Sequence, residues 1–164
     1  MDKLEVIVGR LLAERKLKLA TAESCTGGLL SHRITNVPGS SDYFEGGIVA
    51  YSYEAKERLL GVHHDTLYEH GAVSAETAME MARGVRRTLG TDIGVAITGI
   101  AGPAGGLPGK PVGLVYIALS ARHVERVERC MWDSDREGNK AYSAEAALAM
   151  LKEFLDMDGG DVHG

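Results

Sequence analysis

Segments with helical spacing alternate with short apolar segments along this chain, and that alternation limits the folds it can adopt. A stripe with the i, i+3, i+4, i+7, i+8 spacing of an amphipathic helix opens the sequence, at Leu4, Ile7, Val8, Leu11 and Leu12. Further helices are predicted over 27–37, 53–61, 74–90 and through 144–155, and strands over 17–23, 43–52, 92–100, 112–121 and 124–132.

The order of these segments predicts the architecture. Alternating helices and strands pack as layers, and the last two strands follow each other closely enough for an antiparallel hairpin. We therefore predict an α/β fold, a three-layer α/β/α sandwich around a mixed, mostly parallel sheet of about five strands. Ligand sites in such sheets lie at the carboxyl edge, so a pocket is expected between 23–28 and 98–106.

The length and hydropathy of the chain limit its organisation. Its 164 residues suffice for one domain with its own core, predicted over 1–164 with the core at about 5–155 and a frayed tail at 156–164. No segment approaches the ~18 apolar residues of a membrane span, and the charged start is unlike a signal peptide. We expect a cytoplasmic protein with no membrane partner.

The net charge of the chain and its cysteine and histidine content exclude several classes of protein. The formal net charge is −5, whereas proteins that bind nucleic acids usually carry a basic face, so no nucleic-acid partner is expected. The cysteines, Cys25 and Cys130, are too few for a disulfide framework, and the six histidines form no metal motif. No metal site is predicted, and the adjacent His63 and His64 are expected to face opposite sides in structural or surface roles.

Residues 23–28 read ESCTGG at a predicted turn from strand to helix. The start of a helix offers unpaired amide groups and a positive dipole end, which favour an anion or a developing oxyanion. Ser24 is a candidate nucleophile, but Ser24 or Thr26 could instead cap the helix. Cys25 could be a reactive thiolate or a small buried side chain.

Residues 51–56 read YSYEAK after the second predicted strand. A desolvated lysine loses its proton more readily and can act as a general base for serine, so Lys56 is either such a base or a solvated surface side chain. Tyr51 either directs its hydroxyl to the same edge of the sheet or is a core tyrosine with a bonded hydroxyl.

Two further segments are candidates for binding an anion. The sequence TGIAGPAGG (98–106) follows a buried strand, and its glycines could form a nest of amide groups for phosphate or carboxylate, or a flexible surface loop. It matches neither the Walker A pattern nor GxGxxG. Arg136 and Lys140 lie at the start of the last helix, where cations oppose the helix dipole. This placement fits either an anionic ligand nearby or simple solvation.

Five motifs in order resemble those of the CinA C-terminal domain family. They are AESCTGG, YSYEAK, HGAVS (70–74), TGIAGPAGG with the following KPVGLVYIA, and DR before the last helix, within about residues 5–155. The resemblance implies a stand-alone nicotinamide-nucleotide amidase that converts nicotinamide mononucleotide to nicotinate mononucleotide and ammonia. The nucleotide-binding N-terminal domain of full-length CinA proteins is expected to be absent.

The resemblance also implies roles for individual residues. Ser24 matches the family nucleophile, Lys56 the general base, Tyr51 an assisting tyrosine and Thr98 a threonine that contacts the substrate. The other expected substrate contacts are Thr26, Gly27, Gly28, Gly99, Gly102, Gly105, Gly106, Arg136 and Lys140. Serine–lysine hydrolysis needs no cofactor, so none is expected. The expected partners are a small nucleotide substrate and further copies of the chain in a homo-oligomer, a dimer.

The segment DREGNKAY departs from the family pattern. Many relatives have a second arginine about four positions after DR, where this chain has Lys140, a point charge without the bidentate fork of arginine. Weaker phosphate binding is therefore expected. Two rival functions remain: a non-catalytic nucleotide- or phosphate-binding module of the same fold, and an amidase or esterase that uses Cys25. The intact set of Ser24, Lys56 and Tyr51 argues against the first.

Overall fold

The computed structural model describes residues 2–157, which form six α-helices and five strands. The helices are α1 (Leu4–Arg15), α2 (Leu29–Thr35), α3 (Tyr53–Leu60), α4 (His64–His70), α5 (Ala75–Leu89) and α6 (Arg136–Met157). The strands are β1 (Leu19–Glu23), β2 (Phe44–Val49), β3 (Ile93–Gly99), β4 (Leu114–Ser120) and β5 (Glu125–Met131). None of the helices within this range is long and apolar enough to cross a membrane.

The five strands form one mixed sheet in the order β2-β1-β3-β4-β5. β1 pairs in parallel with β2 and with β3, while β4 pairs antiparallel with both β3 and β5. Four of the five strands therefore point the same way, although only two of the four pairings are parallel. The predicted α/β/α sandwich with a mixed sheet and a terminal hairpin is confirmed.

The two faces of the sheet are covered by different helices and different kinds of side chain. Large aliphatic residues such as Leu19 and Ile97 face α1, α2 and α6, whereas alanines such as Ala96 and Ala118 face the layer with α5. The small strand residues let α5 lie close to the sheet. Gly84 of α5 likewise lies against the backbone of Leu60, where any Cβ would overlap the Leu60 carbonyl.

Most predicted elements are present, with two differences among the helices. The helix predicted over 27–37 is only the seven-residue α2, and α4 was not predicted from the sequence. The last helix begins at Arg136, where the sequence places its start, and runs for 22 residues. Of the tail predicted to be frayed, residues 156 and 157 belong to α6, and residues 158–164 lie outside the described residues.

Hydroxyl caps fix the starts of the two helices that frame the site. The Ser52 hydroxyl accepts from the Ala55 amide at the start of α3, and the Ser74 hydroxyl accepts from the Thr77 amide at the start of α5. Both cap residues are extended, and both helices end at a glycine with positive φ. Because capping satisfies amides that have no partner within the helix, these starts are set locally.

Candidate active site

A cavity of about 250 Å³ opens at the carboxyl ends of β1 and β3, where the sequence predicted a pocket. It lies between the turn that follows β1, the start of α3 and the loop that follows β3. Its wall is formed by Ser24, Cys25, Tyr51, Lys56, Ala72, Val73, Thr98, Gly99, Ile100, Ala101, Gly102, Ala104, Gly105 and Arg136. The structure therefore brings eight of the predicted site residues to one cavity.

Ser24 and Lys56 form the hydrogen bond at the centre of this cavity. Ser24 follows β1 directly, and its amide donates to the Ile97 carbonyl of β3, which extends the sheet pairing by one residue. Lys56 lies in the first turn of α3, and its Nζ is 2.9 Å from Ser24 Oγ. A serine needs a base within hydrogen-bond distance to become nucleophilic, and this distance meets that requirement.

Lys56 is almost completely removed from solvent. Only 1% of the residue is exposed, so the interpretation of a solvated surface lysine is wrong. Besides Ser24 Oγ, its Nζ donates to the carbonyls of Ala50 and Tyr51, at 2.9 Å and 3.0 Å. Burial lowers the pKa of Lys56 from 10.5 to about 8. At pH 7 about one in ten of these amines is therefore neutral, and half are neutral at about pH 8, because these partners offer no carboxylate to hold the proton.

Cys25 lies beside Ser24 but has the opposite electrostatic character. Burial raises the pKa of its thiol to about 11, and the charge of Glu23 acts in the same direction. The thiolate is the nucleophilic form of cysteine, so at neutral pH this thiol is unreactive. The structure therefore favours Ser24 over Cys25 as the nucleophile.

Glu23 organises the turn between β1 and α2, a role that the sequence reasoning missed. Its carboxylate is fully buried and accepts four hydrogen bonds. The donors are the Thr26 hydroxyl (2.6 Å), the Leu30 amide (2.9 Å), the Ser31 amide (2.9 Å) and the Ser31 hydroxyl (2.8 Å). An acidic residue at the end of an apolar strand, directly before small polar residues, was the available signal.

The contacts of Glu23 correct two expectations about this turn. No side chain caps α2 from its N-cap position, which is Gly28, so neither Ser24 nor Thr26 acts as the cap. The first amides of α2 were expected to face a developing oxyanion, but those of Leu30 and Ser31 donate to Glu23 instead. The amides of Cys25 and Thr26 do not donate to Glu23.

The loop after β3 forms the opposite wall of the cavity. The Thr98 hydroxyl donates to the Ala72 carbonyl at 2.8 Å, which joins the end of β3 to the segment before α5. The start of the loop is joined to α6, because Asn139 Nδ2 donates to the Ala101 carbonyl at 2.9 Å. Gly102 and Gly105 of this loop contribute to the wall, whereas Gly106 does not.

Arg136 and Tyr51 meet at the rim of the cavity. One guanidinium nitrogen of Arg136 donates to the Gly102 carbonyl at 2.7 Å, and another donates to the Tyr51 hydroxyl at 3.2 Å. Tyr51 is 62% exposed, so the interpretation of a core tyrosine is wrong. Arg136 and Lys56 are the basic side chains of the wall, and within residues 2–157 no acidic side chain lines it. The cavity is therefore suited to a ligand with an anionic group, although the whole chain is acidic.

Five of the expected substrate contacts do not reach the cavity wall. They are Thr26, Gly27, Gly28, Gly106 and Lys140. Thr26 is buried behind the turn against Glu23. Lys140 lies beside that turn, where its Nζ would be 3.7 Å from a Cβ at Gly27. Substrate binding by these five residues stays a prediction, and Arg136 is better placed for it than Lys140.

None of the histidines within residues 2–157 lines this cavity. His63 Nδ1 contacts Glu80 at 2.9 Å and His64 Nδ1 contacts Glu57 at 2.7 Å, so the neighbours point to different carboxylates. Across residues 2–157 the structure brings together no group of three or more His, Cys, Asp or Glu side chains that could hold a metal ion.

Comparison with known proteins gives a consistent set of relatives. Residues 1–155 match the model of the family described as CinA C-terminal domain. A Moorella thermoacetica protein named after competence-damage induction is 57% identical over 154 residues, which make up 94% of this chain and 37% of that protein. A CinA-like protein from Thermotoga maritima is 49% identical over 154 residues, covering 94% of this chain and 38% of that protein. The chain thus spans just over a third of these curated relatives.

Solved structures of similar length share the fold. The structure of a CinA superfamily protein from Klebsiella pneumoniae superposes with a TM-score of 0.91 at 38% identity, covering 94% of this chain and 96% of that chain. The structure of a competence/damage inducible protein from Agrobacterium tumefaciens gives a TM-score of 0.88 at 38% identity, covering 95% and 97%.

Proposed function

The chain belongs to the CinA C-terminal domain family, and we propose that its cavity is the active site of a serine–lysine amidohydrolase that acts on nicotinamide mononucleotide. One observation carries the proposal: the buried amine of Lys56, whose pKa burial lowers to about 8, lies 2.9 Å from the hydroxyl of Ser24. Burying a lysine away from carboxylates is costly, and a base for the adjacent serine is a function that uses this arrangement.

The chemistry begins with a proton transfer between these two side chains. Neutral Lys56 accepts the proton of Ser24 as Oγ attacks the carbonyl carbon of the carboxamide. The negative charge that forms on the carbonyl oxygen faces the turn after β1, where the amides of Cys25 and Thr26 are the candidate donors. The Lys56 ammonium then gives the proton to the departing nitrogen, which leaves as ammonia.

The second half-reaction repeats these roles with water. Lys56, neutral again, takes a proton from a water molecule that attacks the acyl group on Ser24. The ester bond to Oγ breaks, Ser24 recovers its proton from Lys56, and the carboxylate product departs. Atoms and charges balance without any cofactor, because one water molecule is consumed and the proton that the carboxyl product loses is taken up by the released ammonia as ammonium.

Nicotinamide mononucleotide is the substrate that best fits the charge distribution of the cavity. Its carboxamide must reach Ser24, while its phosphate needs a cation at some distance, and Arg136 at the rim provides one. Its positively charged ring would enter beside Lys56 and lower the pKa of that amine further, which increases the fraction of active base. The family resemblance of the motifs points to the same substrate.

Ammonia release from nicotinamide mononucleotide tests the proposal directly. We expect purified protein to release ammonia and nicotinate mononucleotide, with activity abolished in Ser24→Ala. The matched control is Ser40→Ala, a hydroxyl outside the cavity wall, which should keep full activity. Wild-type protein that binds the nucleotide without releasing ammonia would instead support the non-catalytic binding module. Activity retained in Ser24→Ala would exclude the serine mechanism.

A further inference from the structure

We propose that Glu23 is a positioning residue that holds Ser24 in reach of Lys56 by binding the turn that carries the nucleophile and the helix that follows it. The inference rests on the proposed function, since it concerns how that active site is held together. Glu23 does not line the cavity, and its carboxylate contacts neither Ser24 Oγ nor Lys56 Nζ. Its effect must therefore pass through the backbone and the hydroxyl groups that it binds.

The four donors to Glu23 come from the turn itself and from the helix that follows it. The Thr26 hydroxyl lies within the turn, two residues after Ser24, whereas the Leu30 and Ser31 amides belong to the first turn of α2. A single carboxylate at the end of β1 thus fixes the strand, the turn and the helix relative to one another. Fully buried carboxylates are costly unless hydrogen bonds replace their hydration, and these donors do so.

Ser24 is left with little freedom between these fixed points. Its amide donates to the Ile97 carbonyl at 3.0 Å, and its own carbonyl accepts from the Gly27 amide at 3.1 Å. With the backbone held on both sides, Oγ is directed into the cavity and towards Lys56. Misplacement of a reacting group by about 1 Å can cost ~10²-fold in rate, so the precision of this turn matters for catalysis.

The neighbouring strand leaves room for the same network. The Ser31 hydroxyl also pairs with the Thr21 hydroxyl at 2.7 Å, and Thr21 lies opposite Gly47 of β2 in the sheet. A Cβ at Gly47 would overlap Ser31 Oγ and would lie only 2.6 Å from Thr21 Oγ1. A glycine at this position of β2 is therefore required for Ser31 to reach Glu23.

Substitutions at Thr26 separate positioning from folding. Thr26→Ser keeps the hydroxyl that donates to Glu23, whereas Thr26→Val keeps the shape of the side chain and removes the donor. The readout is the rate at which a fluorophosphonate probe labels Ser24, which requires an activated serine but no carboxamide substrate. We expect Thr26→Val to label about 10-fold more slowly than wild type, and Thr26→Ser to label within about twofold of it.

Glu23→Gln is the stronger variant. The side chain of glutamine would place an NH2 group, where glutamate has an acceptor oxygen, opposite the backbone N–H of Leu30 or Ser31. We therefore expect the rate of labelling to fall by ~10²-fold. The kcat for nicotinamide mononucleotide should fall in parallel while KM stays within about twofold, because the cavity wall is unchanged. The pH at which labelling reaches half its maximum should not move, since Lys56 stays buried.

The melting temperature of each variant is measured alongside its labelling rate, to show that the variant is folded. A folded Thr26→Val protein that labels at the wild-type rate would overturn the role of Glu23, as would equal losses in Thr26→Val and Thr26→Ser. A wild-type protein that labels at Ser24 but releases no ammonia would contradict the proposed substrate. In that case the ratio of labelling rates between the two Thr26 variants still decides the role of Glu23.

Discussion

Lys56 Nζ and Ser24 Oγ lie 2.9 Å apart although 32 residues separate them in the sequence. The serine directly follows a central strand, β1, and the lysine lies on a helix that begins after the neighbouring strand, β2. The two side chains meet because β1 and β2 pair in parallel, which brings both strand ends to one edge of the sheet. Four predictions follow from this pair and its surroundings, beyond the tests given with each proposal.

The pH dependence of catalysis should report Lys56. The amine must be neutral to accept the proton of Ser24, and burial lowers its pKa to about 8. We therefore expect kcat/KM to rise with pH through an apparent pKa of about 8 and then to level off, as measured by ammonia release in constant-ionic-strength buffers. Lys56→Arg should be nearly inactive, because guanidinium keeps its proton. An active Lys56→Arg enzyme with the wild-type profile would contradict this role.

The burial of Lys56 should also lower the stability of the folded protein. A lysine whose pKa falls from 10.5 to about 8 on folding destabilises the folded state by about 3 kcal/mol below pH 8. The cost shrinks as pH rises from about 8 towards 10.5, since the unfolded chain then loses its proton too. We expect Lys56→Met to abolish activity and to raise the melting temperature at pH 7, by a margin that narrows above pH 9.

An exposed lysine provides the control for that measurement. Lys3 is exposed, and it lies outside the cavity wall. Lys3→Met should shift the melting temperature little, and equally at both pH values. A Lys56→Met protein that melts below wild type at pH 7 would show that the hydrogen bonds of Nζ to Ala50 and Tyr51 outweigh the cost of burying the amine.

Cys25 should be dispensable for catalysis. With its pKa raised to about 11, only about one thiol in ~10⁴ is ionised at pH 7. We expect Cys25→Ala to keep most of the activity and iodoacetamide to inactivate the wild type slowly, as followed by ammonia release over time. Rapid inactivation by iodoacetamide that substrate prevents, combined with an active Ser24→Ala variant, would favour the rival mechanism through Cys25.

Arg136 should contribute more to phosphate binding than Lys140. Arg136 lines the rim of the cavity, whereas Lys140 lies beside Gly27 and does not line the wall. A charge-assisted hydrogen bond is worth ~1.5–3 kcal/mol, so Arg136→Ala should lower kcat/KM for nicotinamide mononucleotide at least ~10-fold. Lys140→Ala should lower it much less.

The riboside, which lacks the phosphate, distinguishes ligand binding from damage to the rim. Arg136 also donates to the Gly102 carbonyl and the Tyr51 hydroxyl, so its removal could loosen the loop. If Arg136 binds phosphate, Arg136→Ala should leave kcat/KM for nicotinamide riboside nearly unchanged. Equal losses on both substrates would show that the arginine acts by holding the loop.

The local spacing of residues determined most of the fold. The period of the apolar stripe defined α1, and α3 and α5 begin where the sequence predicted, directly after the residues that the structure shows as their caps, Ser52 and Ser74. The helix α4 was not predicted, because its seven residues bury only Leu67 and carry no repeating apolar stripe. The order of the elements alone predicted that the site lies at the carboxyl edge of the sheet.

Tertiary structure decided which polar residues are placed where they could do chemistry. Ser24, Cys25 and Thr26 are equivalent candidates in the sequence, but the fold places one beside an amine, buries the second as a thiol and directs the third to Glu23. Whether Lys56 is a surface charge or a neutral base depends on the burial that packing gives it. Burial and long-range contacts arise only when distant segments meet, and pKa values follow from them, so no local pattern could assign these roles.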